Sequence, residues 1–390
     1  MRNFIFYTGA FIMLLNVSCV SMKPRMDTDS FLEYKMNRSK VVGLQAAVIK
    51  NGDLLYTKSV GKLRSDSLGK INDSTLFMIA STSKPITALT VLSLVSQNKL
   101  ALDDAVNNYL PFKVENPYYP NNEITVRMLL THTSTIKDNW GILDSLYTLP
   151  EGGDSPLELK DYLKDYLSVE GKYYDDQLNF QNEKPSTYWE YANTGYALLG
   201  LIVEEVSKKP FNTYCREAIF NPLEMEDTFW FLKEIPHQNI TNPHEITENG
   251  HEVLNHYGYP TYPDGQIRTT VTDYTKFLQL IMHDGKFNGK QLIKEELINE
   301  FLKIQYPKTN KWQAISWNYN EFENFIFYLN LPHLPAHTGG DPGIATAVFF
   351  DKEKKGAVLL FLNTRLNNFR GVKSMYLDVL KRLAKDASIK

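Results

Sequence analysis

Apolar and polar positions alternate along the chain in ways that separate its two ends from its middle. Phe4 to Leu15 is apolar apart from Thr8 and follows Arg2. The run is too short for a hydrocarbon core that needs about 20 residues, so with its positive flank it reads as a secretory signal. Asp29 and Ser30 then offer caps for a short helix to about Asn37. Leu44 to Ile49 and Leu54 to Val60 are apolar runs on either side of Asn51-Gly52, the pattern of a β-hairpin. Near the other end, Phe325 to Leu329, Ala345 to Phe350 and Ala357 to Leu362 read as strands of an antiparallel sheet. Val372, Met375, Tyr376, Val379, Leu380 and Leu383 recur at helical spacing and form one stripe suited to covering a sheet face.

Between these ends helical patterns and loops dominate. Ile86 to Leu94 is one apolar helix, and Ala197 to Val206, closed by Pro210, is another. From Asn107 to Trp189 the chain is rich in Tyr, Asp, Asn and Pro with weak periodicity, so loops and short helices are expected there. No solenoid-length repeat or low-complexity linker occurs. The pattern predicts an α+β protein with a mostly helical part, about 78–320, inserted into a sheet part, about 26–77 and 321–390. The cleft between the two is the natural ligand site.

Charge changes little in this picture. Lys+Arg 42 against Asp+Glu 45 leaves a net −3, without a positive field for nucleic acid or anionic lipid. The two cysteines are Cys19 and Cys215, which leaves no internal disulfide once Cys19 is removed or acylated. Val17-Ser18-Cys19 resembles the lipobox of bacterial lipoproteins, with Asn16 where that pattern has Leu. The expectation is export, residues 1–19 acting as the signal, to the periplasm or cell envelope. There the chain is either anchored by lipid on Cys19 or simply cleaved nearby.

Ser81 and Lys84 lie three residues apart, one helical turn along the same face, where an amine can reach a hydroxyl and take its proton. Ser59/Lys62, Ser67/Lys70, Ser96/Lys99 and Ser134/Lys137 share that spacing. Only the first pair opens a strongly apolar helix. Pro85, which has no N–H, belongs in a first helical turn and so sets Ser81 at the positive end of the helix dipole.

Phe77 to Pro85, Lys99 to Asp104 and Tyr109-Leu-Pro111 together resemble the nucleophile segment of class C β-lactamases and their penicillin-binding, esterase and peptidase relatives. Ile124 to Ser134, with Thr131-His132-Thr133-Ser134, resembles the motif that follows in that family. Tyr191-Ala192-Asn193 resembles its Tyr-x-Asn element, and His337-Thr338-Gly339-Gly340 a His-x-Gly variant of its Lys-Thr-Gly element. Tyr119-Pro-Asn121 and Tyr328-Leu-Asn330 also spell Tyr-x-Asn, so the order of all three motifs carries the resemblance, which extends over residues 30 to 385.

The resemblance implies a β-lactamase/transpeptidase-like fold in which an antiparallel sheet is flanked by N- and C-terminal helices. It implies that Ser81 forms an acyl-enzyme, that Lys84 and Tyr191 share the proton transfers, and that Asn193 bonds Lys84 and a substrate carbonyl. It further implies an oxyanion site made of the Ser81 and Gly340 N–H groups beside Thr338. His337 departs from the lysine of penicillin-recognising members, and a neutral imidazole offers no permanent cation to a drug's carboxylate. An esterase or a peptidase acting on D-residues is therefore expected before an efficient β-lactamase.

Ser134-Thr135 and Asp264-Gly265-Gln266 depart from the family's usual Ser-Gly and small-Gly-Gly elements, and both are expected to shape loops without touching the proton-transfer groups. His244-Glu245 and His251 lack metal-ligand spacing, and no phosphate loop or dinucleotide fingerprint occurs, so no metal and no cofactor is expected. The expected partner is a small-molecule or peptide substrate, with membrane contact only through an N-terminal lipid. The competing readings are a cell-envelope binding protein that keeps the fold without the chemistry, and a structural lipoprotein.

Overall fold

The computed structural model describes residues 26–366 and 371–389, so the expected signal and Cys19 lie outside the described residues. Its centre is a five-stranded antiparallel sheet of β1 (Gly43–Lys50), β2 (Asp53–Gly61), β3 (Ala336–Asp341), β4 (Ile344–Asp351) and β5 (Gly356–Leu362), in the order β2-β1-β5-β4-β3. The two ends of the chain meet in its middle, where Leu44 pairs with Leu362 and Ile49 with Ala357.

The period-2 alternation sorts each strand onto two cores. Leu44, Ala46 and Val48 of β1, with Val358, Leu360 and Leu362 of β5, face α1 (Thr28–Asn37) and the C-terminal helix Val372–Asp386. Ala47 and Ile49, with Leu359 and Phe361, face the larger core built by α2 (Lys84–Ser96), α3 (Asn193–Ser207) and α4 (Val271–Met282). A sheet covered on both faces needs apolar residues at nearly every position, which explains the continuous runs in β1, β4 and β5. The C-terminal helix, labelled α5, docks on α1 through a hydrogen bond of Thr28 Oγ1 to Asp386 Oδ2 at 2.7 Å and an ion pair of Lys35 with Asp378.

One expected strand is helical. Glu323–Phe325 forms a 3-10 turn and Ile326–Leu329 a helical turn, closed by Asn330 at φ +55°. A strand would have needed a sheet edge. Here only Leu329 is buried, while Phe327 is 96 % exposed and Tyr328 is exposed, and the left-handed Asn330 ends the turn as asparagine does well. The edge strand beyond β4 is instead β3, which carries His337 to Gly340 beside the turn that holds Ser81.

Candidate active site

Phe77–Met78 pairs with Arg268–Thr269, and the chain then enters a 3-10 turn, Ala80–Ser83, that runs directly into α2 with Pro85 in its first turn. Ala80 sits at φ +49°, a left-handed conformation that costs a residue with a Cβ about 1 kcal/mol. Its surroundings hold it there. Ser83 Oγ donates to Ala80 O at 2.8 Å, and Ile79 N–H donates to Ile267 O at 2.9 Å. Two glycines close on it: a Cβ on Gly339 would lie 3.3 Å from Ala80 Cβ, and one on Gly265 3.4 Å from Ala80 C. The turn leaves Ser81 partly exposed while Thr82, Ser83 and Lys84 are buried.

Lys84 Nζ has three hydrogen-bond partners: Ser81 Oγ at 3.0 Å, Asn193 Oδ1 at 2.7 Å and Asp264 O at 2.7 Å. It also lies 4.9 Å from the centre of the Tyr191 ring and 5.7 Å from that of Tyr196. Burial lowers its pKa, while Asp264, Asp138 and Asp341 pull the other way. The contact with Asp264 corrects an expectation: the Asp264-Gly265-Gln266 element does touch Lys84, one of the residues expected to move protons. It does so through a backbone carbonyl, which sequence does not display.

Tyr191 reaches the same point from the residue pair that precedes α3. Burial raises its phenol well above the usual range, and a hydrogen bond with Ser81 works against that shift. Its ring stacks on His132, with centroids 4.4 Å apart. Ala192 N–H donates to His132 Nδ1 at 3.2 Å, so the proton of the neutral ring sits on Nε2, which is buried without a partner. His132 belongs to the quoted Thr131 to Ser134 motif, yet nothing in the sequence marked it as a neighbour of Tyr191.

On the other side stands β3. His337 is 5 % exposed; its Nδ1 bonds Thr338 O at 2.7 Å and its ring centre lies 6.3 Å from that of Tyr191. Burial, with the nearby Lys84 charge, lowers its pKa to about 3. Thr338 is fastened by both N–H and Oγ1 to Glu321 Oε1. Gly340 faces open space, whereas a Cβ on Gly339 would lie 2.2 Å from Thr346 Oγ1 and 2.6 Å from Ile79 O. Gly339 therefore makes room for Thr346 and for the chain entering the Ser81 turn.

Three carboxyls act on the lysine, those of Asp264, Asp138 and Asp341. Burial raises the pKa of Asp264 to about 6 and that of Asp341 to about 7, and Tyr147 Oη donates to Asp341 Oδ1 at 2.9 Å. Asp138 accepts from Asn193 and Thr194 at the start of α3. Asp138, Asp341 and Glu321 went unrecognised in the sequence because single acidic residues carry no spacing, and Asp264 was singled out there only as a departure from a family turn. The Ser134-Thr135 departure does act on loop shape: Thr135 takes φ +69°, and its hydroxyl accepts from Asn116 Nδ2 at 2.8 Å. Away from the cleft, His244 accepts Ser65 N–H on Nε2 and bonds Asn363 O through Nδ1, so both ring nitrogens are occupied. Among the described residues no group of three or more His, Cys, Asp or Glu is arranged to hold a metal ion.

Residues 28–380 match the family described as Beta-lactamase. The chain is 25% identical over 301 residues to the Protein flp of Staphylococcus aureus (strain COL), covering 77% of this chain and 57% of that protein. It is 26% identical over 335 residues to Penicillin-binding protein 4* of Bacillus subtilis (strain 168), covering 81% and 66%. The chain thus spans less than two thirds of the length of either relative. Among solved structures, the octameric penicillin-binding protein homologue from Pyrococcus abyssi superposes with a TM-score of 0.72 at 23% identity, over 94% of this chain and 78% of that one.

Proposed function

The chain belongs to the β-lactamase family, and from that premise we propose that it is a serine hydrolase working through a covalent acyl-enzyme on Ser81. One observation supports this reading above the rest: a single buried nitrogen, Lys84 Nζ, bonds Ser81 Oγ, Asn193 Oδ1 and Asp264 O together. The amide and carbonyl oxygens can only accept. A neutral amine spends its two N–H donors on them, and its lone pair is left facing the serine hydroxyl.

In the proposed cycle the Ser81 Oγ–H proton passes to Lys84 as Oγ bonds the acyl carbon, and the electron pair of the carbonyl moves onto its oxygen. The N–H groups of Ser81 and Gly340 hold that oxyanion. When the tetrahedral centre collapses, the Tyr191 hydroxyl gives its proton to the departing oxygen or nitrogen and recovers one from Lys84. Water then repeats the sequence on the ester. Opposed shifts, together with the hydrogen bond of Lys84 Nζ to Ser81 Oγ, support Lys84 as the base: burial pushes the lysine down towards its neutral form and the phenol away from its anion.

His337 supports the substrate class. An imidazole with its pKa near 3 is uncharged at neutrality and provides no cation for a β-lactam carboxylate. Carboxylic esters, or amides of D-residues, are the proposed substrates. We place the protein in the cell envelope of an exporting cell, with Cys19 as its lipid attachment point.

The test is a parallel assay of the purified protein with short-chain nitrophenyl esters, nitrocefin and D-amino-acid amides, together with fluorophosphonate labelling. The adduct mass should map to Ser81, vanish in Ser81→Ala, and accompany turnover of esters or D-amides above that of nitrocefin. Neither label nor turnover would leave the binding-protein reading in its place.

A further inference from the structure

The first turn of α3 carries an arrangement that the acyl-enzyme reading does not by itself require. Asp138, in the loop after the Thr131 to Ser134 motif, accepts four hydrogen bonds. Oδ2 takes Asn193 N–H at 2.7 Å and Asn193 Nδ2 at 2.9 Å, and Oδ1 takes Thr194 N–H and Thr194 Oγ1, both at 2.9 Å. Ala192, the residue that caps α3, makes no side-chain cap bond of its own, so this remote carboxylate takes its place. The two backbone N–H groups and the Nδ2 group of Asn193 can only donate, and the Thr194 hydroxyl can donate as well, which leaves the carboxylate form as the one that satisfies every contact.

The consequence reaches Ser81. An asparagine amide has a donor end and an acceptor end, and packing alone sets little preference between them. Because Asp138 Oδ2 can only accept, it draws Nδ2 of Asn193 and turns Oδ1 towards Lys84 Nζ, 2.7 Å away. Were the amide reversed, its N–H groups would face Lys84. A neutral Lys84 would then point its lone pair at Asn193 rather than at Ser81.

We propose that Asp138 is a positioning residue for catalysis: by fixing the Asn193 amide it aims the Lys84 lone pair at the Ser81 hydroxyl. The proposal rests on the acyl-enzyme reading, since without proton transfer from Ser81 the aim would have no object. It assigns a chemical task to a loop carboxylate whose hydrogen bonds go to Asn193 and Thr194 and not to Ser81.

The experiment compares Asp138→Ala, Asp138→Asn and Thr194→Val with the unmodified chain, expressing kcat per active site titrated by the fluorophosphonate label and recording its pH profile. Asp138→Ala should lower kcat by roughly 100-fold with KM within about threefold, as a misaligned reacting group does. Asp138→Asn, which keeps one acceptor oxygen, should recover part of that loss. In both variants the acid limb of kcat should move to lower pH by about half a unit or more, because removing an anion lowers the pKa of a nearby ammonium. Thr194→Val removes one contact to the same carboxylate but leaves Asn193 alone. It should lower the melting temperature while keeping kcat within about threefold, as loss of a cap contact does. If Asp138→Ala does not fold, Asp138→Asn alone decides by its pH limb. A variant at Asp138 that melts earlier but keeps both kcat per labelled site and the pH limb would overturn the proposal and reduce Asp138 to a helix cap. Unchanged turnover in Ser81→Ala would instead sink the acyl-enzyme reading.

Discussion

The imidazole of His132 lies against the phenol of Tyr191 with ring centres 4.4 Å apart and planes at 29°, while its Nδ1 accepts the N–H of Ala192, the residue next along. One side chain therefore holds both the ring and the backbone of the Tyr191 segment. His132→Leu keeps an apolar contact but leaves the Ala192 N–H without its acceptor. We expect kcat to fall roughly 10- to 100-fold, since small displacements of a reacting group weigh heavily on rate. Stability should drop by about 1–3 kcal/mol, the usual consequence of an orphaned buried donor. Steady-state kinetics and urea unfolding of the variant check both, and wild-type kcat would show that Tyr191 is held by other contacts.

Two adjacent glycines in β3 should behave in opposite ways. A Cβ on Gly339 meets Thr346 Oγ1 at 2.2 Å and Ile79 O at 2.6 Å, contacts that force the strand away from the Ser81 turn. Gly339→Ala should destabilise by about 1–3 kcal/mol, the range for overpacking, and lower activity with it. Gly340 has nothing within 4 Å of its would-be Cβ. Gly340→Ala should fold as well as the parent or gain about 0.5 kcal/mol from a less flexible unfolded chain, while raising KM by crowding the cleft. Thermal melts and ester kinetics on the pair distinguish these outcomes; equal effects on stability would contradict the geometry.

The sequence showed the sheet because burial on both faces leaves unbroken apolar runs in β1, β4 and β5, and it showed Ser81 and Lys84 because Pro85 marks a helix start. It misled at Phe325 to Leu329, where an apolar run ends at a left-handed Asn330 with Phe327 in solvent. An apolar run without alternation suits a strand and a helical turn equally. It misjudged Asp264, whose part is played by a backbone carbonyl, and was silent on Asp138 and Glu321, whose parts depend on which loop lies beside which. Contacts that span 17 residues (Glu321 to Thr338), 55 (Asp138 to Asn193) or 180 (Lys84 to Asp264) join separate loops and elements and leave no local pattern.

Lys84 separates two roles that a lysine can play beside a serine. If it takes the proton, Lys84→Met should lower the acylation rate by about 10²- to 10⁴-fold, the usual range for a lost general base. Lys84→Arg should fail equally, because a guanidinium stays protonated and cannot accept. Single-turnover acylation by a nitrophenyl ester measures both variants. Recovery by arginine would mean that the site requires a cation there and that the proton goes to Tyr191.

His337 gives a stability prediction with a definite sign. Its folded pKa is lowered to about 3 by burial, against an unfolded value of about 6.5, so below pH 6.5 the unfolded chain binds a proton that the folded chain refuses. This group therefore withdraws stability as pH falls from about 6.5 to about 3, at up to about 1.4 kcal/mol per pH unit. Asparagine at the same place can still donate to Thr338 O, the partner of His337 Nδ1, but does not titrate. Relative to the parent, His337→Asn should gain stability steadily between pH 6 and pH 4 and show a constant difference above pH 7. Urea unfolding at pH 7.5, 6, 5 and 4 reads that difference directly. Parallel curves across the whole range would mean that the imidazole charges freely in the folded protein, and the argument that it offers a substrate no cation at neutrality would lose its basis.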